Sequence, residues 1–245
     1  GEKTFYYYLI SKKNKLNSYK LLLKLLIKMQ KIKVKKLYKF EKLKIKIPKY
    51  TLSNLHKESD LFFDWYLKYF LRNKKISKIK KILRSELNKV YKKLNYKNNT
   101  FVHRDFHISN IMINKNKLGI IDNQDAIIGN PLYDVSSVID DVRIKLSNKL
   151  QKKLLDFYHK NSKLKNDHIK KLKNDFDILS VQRNLKILGI FVRLYKRDNK
   201  DNYLKYLPYT WTLIEKRLQN PVLKNLKLLF YKHLSIKKLK KLNKI

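Results

Sequence analysis

Residues 103–110 read H-R-D-F-H-I-S-N, and twelve residues after Asn110 the apolar run L-G-I-I at 118–121 ends on Asp122. Three residue types needed for phosphoryl transfer from a nucleotide stand here at workable spacings. Asp105 can accept the proton of an attacking hydroxyl. Asn110 and Asp122 offer oxygens to a hard cation such as Mg²⁺, which favours oxygen ligands. Asn110 follows Asp105 across a tight loop. Asp122 closes a short strand and can project toward the same point. His103 is expected to orient the loop through hydrogen bonds rather than to carry out chemistry. A lone Asp on a polar loop is usually a turn former or a cap, so the reading rests on the whole set and its spacing.

The flanking sequence places this set on loops between short β-strands. Residues 101–102, 111–113 and 118–121 are β-type runs, with a hairpin turn across 114–117. The rest is helical in pattern. Residues 19–32 carry Leu22, Leu25, Leu26 and Met29 on one stripe, and 58–71 and 76–94 are amphipathic. After Pro131, helices are expected over 133–146, 150–159, 169–179, 182–195 and 209–218. Residues 4–10 suit a strand or a helix start. Residues 31–47 alternate Lys with apolar residues as a connector that Pro48 breaks, and 223–245 form a Lys-rich tail. The fold class expected is α+β, mostly α, in one unit over 1–245: a leading segment 1–54, a core 55–215 and a basic helical tail 216–245.

Composition bounds the partners. The chain of 245 residues has a formal charge of +41 and 43% hydrophobic residues, enough for a real core. Such charge ordinarily suggests nucleic acid or an anionic surface. Here eight Arg stand against 52 Lys, and Arg is the better reader of phosphates and bases. Abundant Lys, Asn and Ile with four Gly and four Pro fit drift toward A/T-rich codons, so nucleic acid is not the expected partner. No cysteine is present, which removes disulfides and thiolate chemistry. No apolar run reaches the roughly eighteen residues of a membrane span, and no signal peptide is visible. A cytoplasmic location fits.

The longer run F-V-H-R-D-F-H-I-S-N-I-M-I at 101–113, followed by G-I-I-D-N-Q-D-A-I-I-G-N-P-L-Y-D-V-S-S at 119–137, resembles the catalytic segment of the aminoglycoside-phosphotransferase and choline-kinase branch of the protein-kinase-like fold. Within it, the similarity is closest to the bacterial anomeric N-acetylmuramate/N-acetylglucosamine kinases of cell-wall recycling. Residues 62–67 (F-F-D-W-Y-L) and 182–194 (Q-R-N-L-K-I-L-G-I-F-V-R-L) also look like that group. The resemblance covers about 55–215. It implies Asp105 as catalytic base, Asn110 and Asp122 as Mg²⁺ ligands beside ATP, and an amino sugar as acceptor. Asp125 either reaches substrate or caps the next loop. Asp134 is expected to cap a helix or brace the loop. Asp140 and Asp141 suit an exposed helical face, with a sugar pocket as the other reading. Arg183 and Arg193 are expected to pair with Asp residues or to meet a substrate carboxylate.

The chain departs from the family before residue 103. Only 102 residues precede His103, most of helical pattern, and neither a Gly-rich loop nor a strand Lys of the V-A-x-K kind is found. Residues 1–5 resemble the segment just after the interlobe hinge. The expectation is a kinase-like C-terminal lobe without its N-terminal lobe, which is either truncated or supplied by a separate partner chain. The competing readings are a catalytically silent kinase-like binding module and a nucleic-acid binder on the same fold. Electrostatics favours a neutral or anionic sugar over cationic aminoglycosides or choline, because acidic residues number only 19.

Overall fold

The computed structural model describes residues 3–34, 38–40, 42–71, 76–114 and 117–241. Residues 115–116 of the turn expected across 114–117, residues 1–2 of the hinge-like segment, 35–37 and 41 of the connector, 72–75 and the last four residues of the tail lie outside the described residues. The structure is mostly helical α+β with three small sheets. Its contacts divide it into two compact units, residues 1–50 with 95–176, and residues 51–94 with 177–245.

Among the described residues, the first unit holds all the strands. β1 (Lys3–Thr4) leads into α1 (Phe5–Ile10) and α2 (Leu16–Gln30). On α2, Leu22, Leu23 and Leu26 are fully buried while Lys24 and Lys28 face out, a helical stripe that burial fixes. Within the connector, β2 (Tyr38–Phe40) and β3 (Leu43–Ile45) pair antiparallel. The chain then runs beside β7 (Ile127–Gly129): the Ile128 amide donates to the Pro48 carbonyl and the Tyr50 amide to the Ile128 carbonyl, each at 2.8 Å. β7 pairs antiparallel with β4 (Thr100–Val102). β5 (Ile111–Asn114) sits between β1 and β6 (Lys117–Ile120). After β7 come α6 (Leu132–Ile139) and α7 (Asn148–Asn161). Gln30 ties three of these pieces together, donating to the Pro131 carbonyl and accepting from the Tyr158 hydroxyl, both at 2.8 Å.

The second unit is helical: α3 (Leu52–Leu61), a π-helical segment (Phe62–Leu67), α4 (Lys68–Leu71) and α5 (Ile76–Tyr91). Thr51 and Asn54 form a reciprocal capping box at the start of α3. α8 (Ile169–Asp198) is one continuous helix where two were expected, and it contributes residues to both units. α9 (Leu207–Arg217), α10 (Lys224–His233) and α11 (Ile236–Lys241) complete the unit. Its core is aromatic: Phe62 stacks on Tyr66, and the buried Trp211 indole donates to the Tyr66 hydroxyl at 2.7 Å. Gly189 on α8 meets α3 so closely that a Cβ there would lie 2.3 Å from the Leu61 carbonyl carbon and oxygen. Among the described residues, no helix is long and apolar enough to cross a membrane.

Candidate active site

The loop at 103–110 leaves β4 and enters β5, and its shape follows from alternating burial. His103, Phe106, Ile108 and Ile111 point inward and are at most 1% exposed. Asp105 and Asn110 between them remain half-buried. Turn hydrogen bonds tighten the loop, the His107 amide donating to the Asp105 carbonyl and the Asn110 amide to the His107 carbonyl, both at 2.9 Å.

Two buried carboxylates hold this loop at separate points. Asp134, on the first turn of α6 and fully buried, accepts from the His103 amide at 2.7 Å and the Arg104 amide at 3.1 Å. Asp141, just past α6, accepts from the Ile108 amide at 3.2 Å and from the Arg143 guanidinium at 3.1 Å. The grip coincides with strain: Arg104 has φ 71°, a left-handed conformation that costs a side-chain-bearing residue about 1–2 kcal/mol. With both amides aimed at Asp134, that conformation is held.

The β5–β6 hairpin sets the second half of the site. Its register, Ile111 opposite Ile120, places Ile121 beside Asn110, and the Ile121 amide donates to the Asn110 carbonyl at 3.1 Å. Asn110 and Asp122, twelve residues apart in sequence, therefore meet. The Asn110 amide Nδ2 donates to the Asp105 carbonyl at 3.1 Å and to Asp122 Oδ2 at 3.3 Å. Asp122 is exposed, with φ 67°, and its Oδ1 accepts from Gln124 at 2.5 Å. The Asp105 carboxylate makes no hydrogen bond or ion pair among the described residues, so it is available to a ligand. Asp125 is exposed, and its carbonyl takes a long 3.4 Å contact from Arg104.

His103 orients the loop differently from the expectation. Its backbone amide carries the hydrogen bond, whereas the ring nitrogens are buried without a hydrogen-bond partner among the described residues. Burial pushes the imidazole below its ordinary pKa, with Asp105, the Ile121 backbone and Asp122 pulling the other way.

The structure corrects the reading of Asp140 and Asp141. Neither lies on an exposed face: they are 1% and 2% exposed, Asp140 accepting from Gln151 at 3.1 Å. The expected helix over 133–146 stops at Ile139, which turns both carboxylates inward. Arg183 and Arg193 make no ion pair among the described residues; the buried Arg–Asp pair of their unit is Arg217 with Asp177, at 3.4 Å. Gln124 and Arg143 were missed, as was the bracing role of Asp141. Gln124 was visible in the D-N-Q-D run. The role of Asp141 gave no signal, because it depends on where α6 ends.

The oxygens of Asn110 and Asp122 are the hard donors suited to Mg²⁺. Only two protein ligands converge, and among the described residues no group of three or more His, Asp or Glu could hold a metal ion. Two suffice for an ion that keeps waters and takes substrate phosphates as its other ligands, so the residues present fit Mg²⁺.

The loop thus sets the unengaged Asp105 carboxylate beside Asn110 and Asp122, which meet at 3.3 Å. The chain belongs to the phosphotransferase enzyme family, whose sequence profile matches residues 19–168. It is 28% identical over 166 residues to an N-acetylmuramate/N-acetylglucosamine kinase of Neisseria meningitidis, covering 66% of this chain and 50% of that one. It is 30% identical over 181 residues to the Pseudomonas aeruginosa protein of the same name, covering 69% and 51%. A Caulobacter vibrioides protein so named is 29% identical over 141 residues, 56% of this chain and 38% of that one. The chain thus spans about half the length of the Neisseria and Pseudomonas aeruginosa relatives.

Proposed function

We propose that this chain is the C-terminal, acceptor-binding lobe of an ATP-dependent kinase that phosphorylates the anomeric hydroxyl of an N-acetyl amino sugar such as N-acetylmuramate or N-acetylglucosamine. The observation that carries the reading is the meeting of Asn110 and Asp122 at 3.3 Å beside the unengaged Asp105 carboxylate. The names of the similar kinases support the acceptor class.

In this reading Asp105 accepts the proton of the attacking hydroxyl, and Asn110 and Asp122 hold Mg²⁺. When bound, the ion neutralises charge on the β- and γ-phosphates. Gln124 steadies Asp122, and Asp134 keeps the loop in the shape that presents Asp105. Asp125, exposed on the next loop, is positioned to meet a sugar hydroxyl. The nucleotide's other contacts come from an N-terminal lobe, on this polypeptide or on a separate chain. Without them, transition-state stabilisation falls by several kcal/mol, on the order of 10³-fold in rate.

The test is phosphate transfer from ATP·Mg²⁺ to N-acetylmuramate and N-acetylglucosamine. The 245-residue chain is compared with a form extended upstream by any encoded lobe, each with an Asp105→Asn control. Activity in the extended form, lost in the control, is expected. Robust turnover by the 245-residue chain alone would refute the divided-lobe reading. Inactivity of both forms toward both sugars would refute the acceptor assignment and favour a silent kinase-like binding module.

A further inference from the structure

The first unit contains a second concavity that the proposed chemistry does not use. It encloses about 440 Å³, within the range of small-molecule sites. Its walls are the last turn of α2, the 95–100 loop leading into β4, Pro131 and Tyr158, and the 162–171 segment that leads into α8. The loop at 103–110 contributes nothing to it, since Thr100 heads β4 and His103 follows its other end.

Lysine is abundant over this whole chain, so its presence alone argues little. Convergence argues more. Lys31, Lys97, Lys163 and Lys171 line one concave space in which Asp167 is the sole acidic residue among the described residues that line it. The ends of α2 and α7 that approach it bring about half a negative charge each, and the start of α8 brings about half a positive one. The four ammonium groups therefore set the sign. A concave wall of low polarisability focuses such a field more than the same lysines would on an open surface.

The remaining lining is mixed, with Ile27, Pro131 and Leu164 beside several hydrogen-bonding groups. Asn95, Asn99, Thr100, Ser162, Tyr96 and Tyr158 line it too, with Asn95 donating to Asp175, Thr100 to Asn99 and Ser162 to the His159 carbonyl. The Tyr96 hydroxyl is shut off from solvent and makes no hydrogen bond of normal geometry. Burial first, then the charge of Asp167 and the hydroxyl's approach to that carboxylate, push its pKa upward, so it keeps its proton and faces Asp167. Planar amides, hydroxyls and aromatic faces under a positive field suit a ligand with several hydroxyls and one strong negative charge.

We propose that this pocket is a binding site for a small polyhydroxylated anion of the sugar-phosphate class, separate from the Asp105 loop. The proposal stands whether or not the chain is a kinase. It is tested by titrating the ¹⁵N-labelled 245-residue chain with glucose 6-phosphate in about 0.15 M KCl, where free surface charges are screened beyond about 8 Å. Parallel titrations use glucose and inorganic phosphate.

Saturable amide shifts confined to residues 95–100 and 162–171, with glucose silent and phosphate weaker than the ester, are expected. Lys97→Glu combined with Lys163→Glu reverses two exposed charges and should weaken binding at least about tenfold. Lys152→Glu combined with Lys153→Glu, on exposed α7 positions outside the pocket, should leave it within about twofold. Retained spectral dispersion in both variants confirms that each is folded. Non-saturating shifts scattered over the lysine surface, shifts centred on 103–125, or binding that survives the pocket reversal would overturn the proposal. Equal affinity for phosphate and its ester would overturn the sugar component.

Discussion

Replacing Asp134 tests whether a buried carboxylate dictates the shape of the 103–110 loop. Asp134 is fully buried and receives two backbone amides, from His103 at 2.7 Å and Arg104 at 3.1 Å. Hydrogen bonds to a charged acceptor contribute about 1.5–3 kcal/mol each, and a buried amide left unpaired costs about 1–3 kcal/mol. Asp134→Ala removes both acceptors at once. Arg104 is then held at φ 71° by nothing equivalent, and releasing it returns only about 1–2 kcal/mol. The net loss is about 3 kcal/mol. For a chain of this size that lowers the melting temperature by about 6–12 °C. Asp134→Asn keeps one acceptor oxygen and turns an amide donor toward the other N–H, so an intermediate loss is expected. Circular-dichroism melting gives the midpoint, and amide hydrogen exchange reads the two N–H groups directly. Both should lose protection in Asp134→Ala before the β5–β6 amides do. If the two amides kept wild-type protection and the midpoint moved by less than about 2 °C, the bracing argument would be wrong.

Three further outcomes are expected. Gly189→Ala should destabilise by at least about 1–3 kcal/mol through overpacking against the Leu61 backbone, outweighing the roughly 1 kcal/mol that alanine gains in a helix; an unchanged or raised urea midpoint would contradict the close approach. For His103, burial lowers the folded pKa beneath the unfolded value near 6.5, so its stability contribution is complete above pH 6.5 and declines as pH falls toward the folded pKa. Urea midpoints measured from pH 7.5 down to 5 should fall more steeply for the wild type than for His103→Asn, and parallel profiles would exclude this origin. The formal charge of +41 makes self-repulsion large, and raising KCl from about 0.02 to 0.3 M should raise the melting temperature, whereas a fall would show that attractive ion pairs dominate instead.

The parts of the fold readable in the sequence were those set by local pattern. The stripe on α2 buries Leu22, Leu26 and Met29 as expected, though Leu23 takes the buried place expected of Leu25, and the apolar runs of β5 and β6 appear where their pattern puts them. The spacing from Asn110 to Asp122 encodes a hairpin, and the hairpin register brings the two side chains together. What could not be read depended on partners distant in sequence. β7 is three residues long and becomes a strand only because β4 and the 48–50 segment pair with it. The single helix α8 was divided because charged and polar residues interrupt its apolar pattern. Asp175, Asp177 and Gln182 on that helix are buried all the same, each accepting or donating hydrogen bonds within its own unit. Periodicity takes polarity as a sign of exposure, and a satisfied buried polar group breaks that rule.

The same exception explains what the charge imbalance means. Seven carboxylates are buried: Glu58, Glu86, Asp134, Asp140, Asp141, Asp175 and Asp177. No lysine is buried among the described residues, although the chain has 52. Buried carboxylates are uncommon unless paired, and these have partners. Asp134 takes two loop amides, Asp175 takes the Asn95 and Tyr96 amides, Glu58 meets Gln182 and Lys186, and Asp177 meets Arg217 and Asn220. Replacing any of them by lysine would strand donors and bury an unmatched positive charge, a loss of several kcal/mol from a total stability of only about 5–15. Exposed positions face no such constraint. A compositional pressure toward lysine therefore accumulates at the surface and stops where a carboxylate is an acceptor inside the fold. The net charge of +41 is then chiefly a property of unconstrained positions, while the seven buried carboxylates, out of 19 acidic residues, mark where the structure needs an acceptor.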